Sequence, residues 1–331
     1  MHPKVTVMIP TYNQSAYLGK CIESALEQDC PNLEVVVSDD ASTDNTREIV
    51  APFLQDSRLK YYRNEKNLGR VANYRQTLHH RAGGDYVINL DGDDWFVNPS
   101  YIRKAAELLG SDPGIVCVLG NITVFLEAEN RFKEALNAHL RLPRVMNGND
   151  FFINYPDLDF TFSHLSVLYR RKEAVALDFY RKDIISSDAE SIFRLMLGRK
   201  IGYLPEVAGA WRVHGVNESG TKEMKKIFGN LVLFDSLYDD ALRRRIFDKE
   251  VLDDWNERIR SKHLYRYIVT FLQQHEPKAA LQLFALAFKY NPRIACRILK
   301  RVLVKMKEKL LIGSTGRVYP VIASARKAEE S

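Results

Sequence analysis

Val5-Thr6-Val7-Met8-Ile9, followed at once by Pro10-Thr11-Tyr12-Asn13, is the stretch on which the fold turns. A run of β-prone and apolar residues this dense reads as a buried strand, and the polar cluster stops it. A helical pattern begins near Ala16, with Leu18, Cys21, Ile22, Ala25 and Leu26 on one face. The alternation then repeats. Leu33–Val37 reads as a second strand closed by Ser38-Asp39-Asp40, and Ser42-Thr43-Asp44 caps a helix reaching Val50. Leu59–Tyr62 is a third strand, Val71–His80 a helix, Tyr86–Leu90 a fourth strand. Pro99 opens a helix to Leu109, and Ile115–Leu119 is a fifth strand.

Strands separated by helices at this spacing predict an α/β fold, a Rossmann-like and mostly parallel sheet flanked by helices. Ligands in such sheets bind at the carboxyl ends of the strands. Three of those ends carry polar clusters: Thr11-Tyr12-Asn13, Ser38-Asp39-Asp40 and Asp91-Gly92-Asp93-Asp94. One crevice should therefore collect a tyrosine, an asparagine and five aspartates.

The 331 residues suffice for one large domain or two ordinary ones. With 46% hydrophobic and 27% charged residues, the composition excludes a disordered or fibrous chain. No window approaches about 18 consecutive apolar residues, so no transmembrane helix is predicted. Met1-His2-Pro3-Lys4 lacks the features of a signal peptide, and the expectation is a cytoplasmic chain. Cys21, Cys30, Cys117 and Cys296 form no metal-binding or redox pair and read as reduced thiols. The net charge of +6 is carried entirely by the segment from Arg293 to Lys309, which has seven basic residues and one acid.

Beyond residue 120 the chain is irregular and rich in aromatics, with a strand expected at Phe162–Tyr169, a helix at Asp188–Leu197 and a strand-like stretch at Ile201–His214. From about Lys222 the periodicity is helical. No glycine-rich phosphate loop follows the first strand, so dinucleotide and P-loop readings lose their support.

Asp91-Gly92-Asp93-Asp94 admits two readings. It is an acidic turn, or a site where Asp91 and Asp93 hold Mg²⁺ or Mn²⁺ against a substrate diphosphate. A glycine between the carboxylates leaves room for a ligand near the backbone. Asp39 or Asp40 caps the following helix, and the other is placed to accept a hydrogen bond from the imide N–H of a pyrimidine, on which Tyr12 would stack.

At this point the sequence resembles family 2 glycosyltransferases with the GT-A fold. The resemblance rests on Val5–Asn13, on Val35-Val36-Val37-Ser38-Asp39-Asp40-Ala41-Ser42-Thr43-Asp44-Asn45-Thr46, on Asn67-Leu68-Gly69 with Asn73, and on Asp91-Gly92-Asp93-Asp94, in that order. It covers residues 4–110, thins towards 215 and does not reach the helical tail. It implies a nucleotide-sugar site built from Pro10, Thr11, Tyr12, Asn13, Asp40, Arg70, Asn73, Asp91, Gly92, Asp93 and Arg212. Asp93, Asp91 and His214 are implied as metal ligands, and Mn²⁺ or Mg²⁺ as cofactor. Ala41 stands where the family often has glycine, which bears on the local loop. Ser186-Ser187-Asp188-Ala189-Glu190 falls where the family places its general base, so Asp188 is expected in that role, with Glu190 as the alternative. Trp211-Arg212-Val213-His214 resembles a stretch that meets the diphosphate, and Gly215–Thr221 would be a lid.

The expected reaction is inverting sugar transfer from a nucleotide diphosphate sugar, UDP favoured, to a saccharide or lipid-linked acceptor, as in bacterial cell-surface polysaccharide or glycolipid assembly. The expected organisation is a nucleotide-sugar half at 1–110, an acceptor and base half at 111–218, and a helical region at 219–331. Within that region, 293–311 is a basic amphipathic helix. Ile294, Ile298, Val302, Met306 and Leu310 form one row, with Arg293, Arg297, Arg301, Lys305 and Lys309 beside it. It either packs on the protein or lies on the inner face of an anionic membrane. No aromatics interleave with these charges, so no nucleic-acid partner is expected. A nucleotidyltransferase of related architecture and a non-catalytic sugar-nucleotide-binding protein are the rival readings.

Overall fold

The computed structural model describes residues 2–215 and 223–315, with side chains as far as Leu303. Residues 216–222 lie outside the described residues, and with them all of the lid expected over Gly215–Thr221 except Gly215. The chain forms two compact units that part between Asn256 and Glu257.

The first unit is built on a ten-stranded sheet. Its elements run β1 (Val5–Thr11), α1 (Ser15–Leu26), β2 (Leu33–Asp39), α2 (Thr46–Val50), β3 (Leu59–Arg63), α3 (Arg70–Gln76), β4 (Tyr86–Asn89), β5 (Trp95–Phe96) and α4 (Tyr101–Gly110). They continue β6 (Ile115–Leu126), β7 (Arg131–Phe132), β8 (Val145–Asn147), α5 (Gly148–Asn154), β9 (Val167–Arg170), α6 (Arg171–Ala176), α7 (Ser187–Met196) and β10 (Lys200–Val213). Then come α8 (Met224–Gly229), α9 (Val232–Arg243) and α10 (Lys249–Gln273), which runs on into the second unit.

The strand order is β3-β2-β1-β4-β9-β6-β10-β5, with β7 on β6 and β8 on β10. β3, β2, β1 and β4 are parallel, as are β6 and β10; β9 runs antiparallel between β4 and β6. Every residue of β1 and β2 is buried, which is why both read as dense apolar runs. Val5, Val7, Ile9, Val35, Val37 and Ile88 share one core with Leu18 and Ile22 of α1 and Ile102 and Leu109 of α4. α3 and a π turn at Thr77–Arg81 lie against the sheet as well, contacting β1 and β2.

Three elements differ from expectation. The helix expected to reach His80 changes to a π turn after Gln76. β6 runs on to Leu126, because Ile122 and Val124 continue its buried face past Gly120. The strand expected at Phe162–Tyr169 is confined to Val167–Arg170, and His164–Ser166 form a 3₁₀ turn before it. Thr161, Phe162, Ser163 and His164 line a cleft at the strand ends.

The second unit holds the rest of α10 with α11 (Pro277–Tyr290) and α12 (Pro292–Thr315), and the last two pack together. Ile294 and Ile298, on the row expected either to pack on the protein or to lie on a membrane, are buried. Arg293 and Arg297 both reach Glu257 at 3.4 Å. Side chains of 304–311 lie outside the described residues. No helix among the described residues is long and apolar enough to cross a membrane.

Candidate active site

β1, β2 and β4 end at one side of the sheet, and their ends border a cleft of about 650 Å³. Pro10, Thr11, Tyr12 and Asn13 line it together with Asp40, Asn67, Arg70 and Asn73. Tyr12 is 45% exposed, an aromatic face open to a ligand. Asp40 is buried and accepts three hydrogen bonds: from Asn64 Nδ2 at 2.7 Å, and from the amides of Leu68 and Gly69, each at 2.9 Å. A carboxylate has about four acceptor sites, so one remains. Gly69 has φ 89° and ψ 152°, a conformation reserved in practice for glycine, which explains Asn67-Leu68-Gly69.

Asn73 ties the end of β2 to α3, donating to Ser38 O at 2.8 Å and accepting from Ser38 Oγ at 2.6 Å. Asp39 is structural. It accepts from Ser42 N, Tyr61 Oη and Arg63 Nη1 at 2.8, 2.7 and 2.6 Å. Ala41 holds the left-handed region at φ 62°, the physical meaning of a glycine at that position. Arg70 donates to the carbonyls of Ile184 and Ile185 at 3.1 and 2.9 Å, joining this side to the approach of α7.

The acidic cluster divides by role. Asp91 accepts from Tyr74 Oη at 2.7 Å and Asn89 Nδ2 at 3.0 Å on one oxygen, and meets His164 Nε2 at 3.0 Å on the other. Burial works to raise its carboxyl, but His164, Tyr74 and Arg70 outweigh burial and hold it at about 2. Asp91, expected among the metal ligands, is thus committed to protein partners. Gly92, expected to leave room for a ligand, leaves none for a side chain of its own. A Cβ there would meet Gln14 Oε1 at 2.7 Å and Thr11 Oγ1 at 2.9 Å, so the space is taken by the end of β1. Asp93 Oδ2 faces His214 Nε2 at 2.9 Å. Burial and the charge of Asp91 raise the Asp93 carboxyl. Asp94 is buried, accepts from Arg212 N at 2.8 Å, and is pushed well up by burial and by its neighbours Asp93 and Asp91.

Arg212, expected at the diphosphate, is nearly buried beneath this loop. It donates to Asp93 O at 3.0 Å and Glu127 at 3.1 Å, and its guanidinium lies 4.6 to 4.7 Å from the rings of Tyr17 and Trp95. These contacts tie it to the acidic turn.

Asp188 sits in the first turn of α7 and lines the cleft with Asp40, Asp91 and Asp93. Glu190, the alternative base, is fully buried and bound to Arg181, Arg194 and Ser236 at 3.1, 3.3 and 2.6 Å, away from the lining. One side chain of the cleft escapes the sequence reading. His164 is buried, with Nε2 on Asp91 and Nδ1 3.9 Å from Asp188 Oδ2. Burial lowers its affinity for a proton, but Asp91 and Asp188 raise it by more. Its only sequence signal is a histidine just ahead of a buried strand. Ile122, Thr161, Phe162 and Trp211 complete the wall.

Among the described residues, no group of three His, Cys, Asp or Glu is arranged to hold a metal. The Asp93–His214 pair offers two donors, an oxygen and an imidazole nitrogen. That set fits Mn²⁺ or Mg²⁺ when substrate oxygens and water fill the other positions.

A carboxylate-lined cleft at the ends of parallel strands is where an α/β enzyme holds its ligand, and the lack of a glycine-rich loop sets this one apart from dinucleotide-binding and P-loop proteins. The family model described as glycosyl transferase family 2 matches residues 6–173, and the chain belongs to that family. It is 33% identical over 156 residues to the GalNAc(5)-diNAcBac-PP-undecaprenol beta-1,3-glucosyltransferase of Campylobacter jejuni, covering 46% of this chain and 48% of that protein. The chain thus spans about half the length of that relative, and only 17% of the chondroitin synthase of Escherichia coli, to which it is 34% identical over 116 residues. The fold is GT-A, as in Staphylococcus aureus TarS 1–349 in complex with UDP-GlcNAc, with TM-score 0.66, 19% identity and coverage of 96% of this chain and 93% of that one. A mannosyltransferase of Pyrobaculum calidifontis in complex with GDP-Man and Mn²⁺ aligns at TM-score 0.54 and 18% identity, covering 92% and 81%.

Proposed function

We propose that this chain moves a glycosyl unit from a UDP-sugar to an acceptor hydroxyl with inversion at the anomeric carbon. The observation that carries the reading is one cleft lined by Asp40, Asp93 and Asp188. Tyr12 stacks on the base and the remaining acceptor site of Asp40 takes its imide N–H, which favours a pyrimidine. Asp188 accepts the proton of the incoming hydroxyl as its oxygen attacks. Asp93 and His214 would hold a divalent cation, which when bound would supply positive charge to offset the departing diphosphate. Arg212 keeps the acidic turn in register beneath it.

The acceptor lies against Trp211 and Phe162, whose rings suit the apolar face of a sugar. The undecaprenol-linked substrate in the name of the Campylobacter relative and the poly(ribitol-phosphate) in that of TarS support a saccharide or lipid-linked acceptor of cell-surface assembly. The protein then works at the cytoplasmic side of the membrane, and any contact through 293–311 falls to residues other than Ile294 and Ile298.

The test is UDP release from a panel of UDP-sugars, with and without saccharide acceptors. Asp188→Asn is expected to lose about 10² to 10⁴ in rate while binding UDP as before. Turnover at the parent rate would reject the base and the direction of attack together.

A further inference from the structure

We propose that His164 is the positioning residue of the base, a tether that fixes Asp188 relative to the donor-side carboxylate Asp91. The inference rests on the reading of Asp188 given above and extends it to a residue that has no part in that reading.

One imidazole ring meets both carboxylates. Nε2 lies 3.0 Å from Asp91 Oδ2, hydrogen-bond range, and Nδ1 lies 3.9 Å from Asp188 Oδ2, ion-pair range. The ring itself has little freedom. Tyr74 packs edge-on against it with centroids 5.8 Å apart, and Asn89 Nδ2 stands 3.3 to 3.4 Å from its two nitrogens. Tyr74 and Asn89 also bind the other oxygen of Asp91, so ring and carboxylate are clamped by the same two side chains.

Asp188 is differently placed. It sits at the first turn of a ten-residue helix, in the open cleft; among the described residues its carboxylate accepts no hydrogen bond, and its ion-pair contact is with this ring. The base must face the anomeric carbon, whose position the donor site sets. A rigid link between the two carboxylates supplies that register, and misplacing a reacting group by about 1 Å can cost about 10² in rate. Without the ring, the two carboxylates would border one space with Arg70 alone acting on both charges, and a guanidinium acting on their charge does not fix the distance between them.

A residue that works through Asp188 has no work left when Asp188 is gone. The experiment is therefore a double-mutant cycle in the full chain: parent, His164→Asn, Asp188→Asn and the pair. The rate is UDP release with water as acceptor, from whichever of UDP-glucose, UDP-galactose, UDP-GlcNAc and UDP-GalNAc the parent hydrolyses fastest. UDP affinity is measured by calorimetry on each protein. His164→Asn is expected to lower kcat at least about tenfold, with UDP affinity within about twofold of the parent. The double variant should be no slower than Asp188→Asn alone, within about twofold. His164→Gln repeats the cycle with a longer amide, so that a folding defect in the first variant, read from the thermal midpoint, does not decide the matter.

Losses that multiply in the double variant would overturn the tether, as would a His164→Asn effect confined to UDP affinity. Asp188→Asn turning over at the parent rate is a different failure. It removes the base itself and is visible before any His164 variant is made.

Discussion

His214 Nε2 stands 2.9 Å from Asp93 Oδ2, although 121 positions separate the two residues. The end of β10 delivers the imidazole, Tyr17 stacks on it at 5.3 Å, and Arg212, two residues earlier, grips the carbonyl of Asp93. With the Arg212 amide donating to Asp94, the turn after β4 and the end of β10 are thus joined three times.

That pairing makes the cation dependence testable. His214→Ala is expected to raise the Mn²⁺ concentration for half-maximal UDP release by about 10- to 100-fold, the usual effect of weakening one metal ligand's support. Chelation should abolish turnover in the parent, and added Mn²⁺ should restore it. Full activity after exhaustive chelation would remove the cation from the mechanism.

Asp188 and Glu190 are two positions apart but belong to different problems. Asp188→Asn is expected to spare stability and remove activity. Glu190→Gln leaves Arg194, whose side chain is 3% exposed, beside a neutral partner. Breaking such a buried pair costs roughly 3–5 kcal/mol, so Glu190→Gln should show a large drop in unfolding midpoint. A stable, inactive Glu190→Gln protein would reverse the assignment.

How far the sequence can be read follows from the range of the forces involved. β1, β2 and β4 are legible because burial on both faces writes a dense apolar run, and the polar clusters at their ends mark the ligand rim. Asp40 is legible from its place at such an end. His164, the seat of Arg212 and the filling of the space beside Gly92 are not. Each depends on which distant side chain arrives: Asp188 at His164, Trp95 and Tyr17 around Arg212, Gln14 against Gly92. Local periodicity carries no trace of these meetings. The strand expected at Phe162 fails for a related reason, since an aromatic in the cavity wall has the same local signature as one in a sheet.

Acid should weaken the fold through Glu34. Its side chain is 3% exposed and is bound by Lys4 and Lys60 at 2.8 and 2.7 Å, Thr6 Oγ1 at 2.6 Å and Gly83 N at 2.8 Å. Burial works to raise its carboxyl, but these partners prevail and bring it down to about 2. A depressed carboxyl stabilises the fold above its unfolded pKa, and the contribution is lost as pH falls through the folded value. The window is therefore from about pH 4.5 down to about pH 2, and the amount about 2 kcal/mol once the solvent exposure of both lysines is allowed for. Urea unfolding should show Glu34→Gln less stable than the parent at neutral pH, with the gap closing across that window. A gap that persists unchanged at about pH 2 would assign the difference to packing.

Two backbone conformations near the base site give opposite predictions for glycine and alanine. Ala41 holds φ 62°, which costs an L-residue about 1 kcal/mol, so Ala41→Gly is expected to stabilise by up to that amount, less what the freer unfolded chain takes back. Gly69 holds φ 89°, and a Cβ added there would meet nothing within 4 Å, so Gly69→Ala suffers from dihedral strain alone, about 1–3 kcal/mol. The Leu68 and Gly69 amides both bind Asp40, and relieving that strain pulls them off its carboxylate. Calorimetry should then find UDP bound at least about tenfold more weakly by Gly69→Ala, a loss of about 1.4 kcal/mol, and with unchanged affinity by Ala41→Gly. Equal UDP affinity in Gly69→Ala and the parent would mean that the loop does not hold Asp40 for the base.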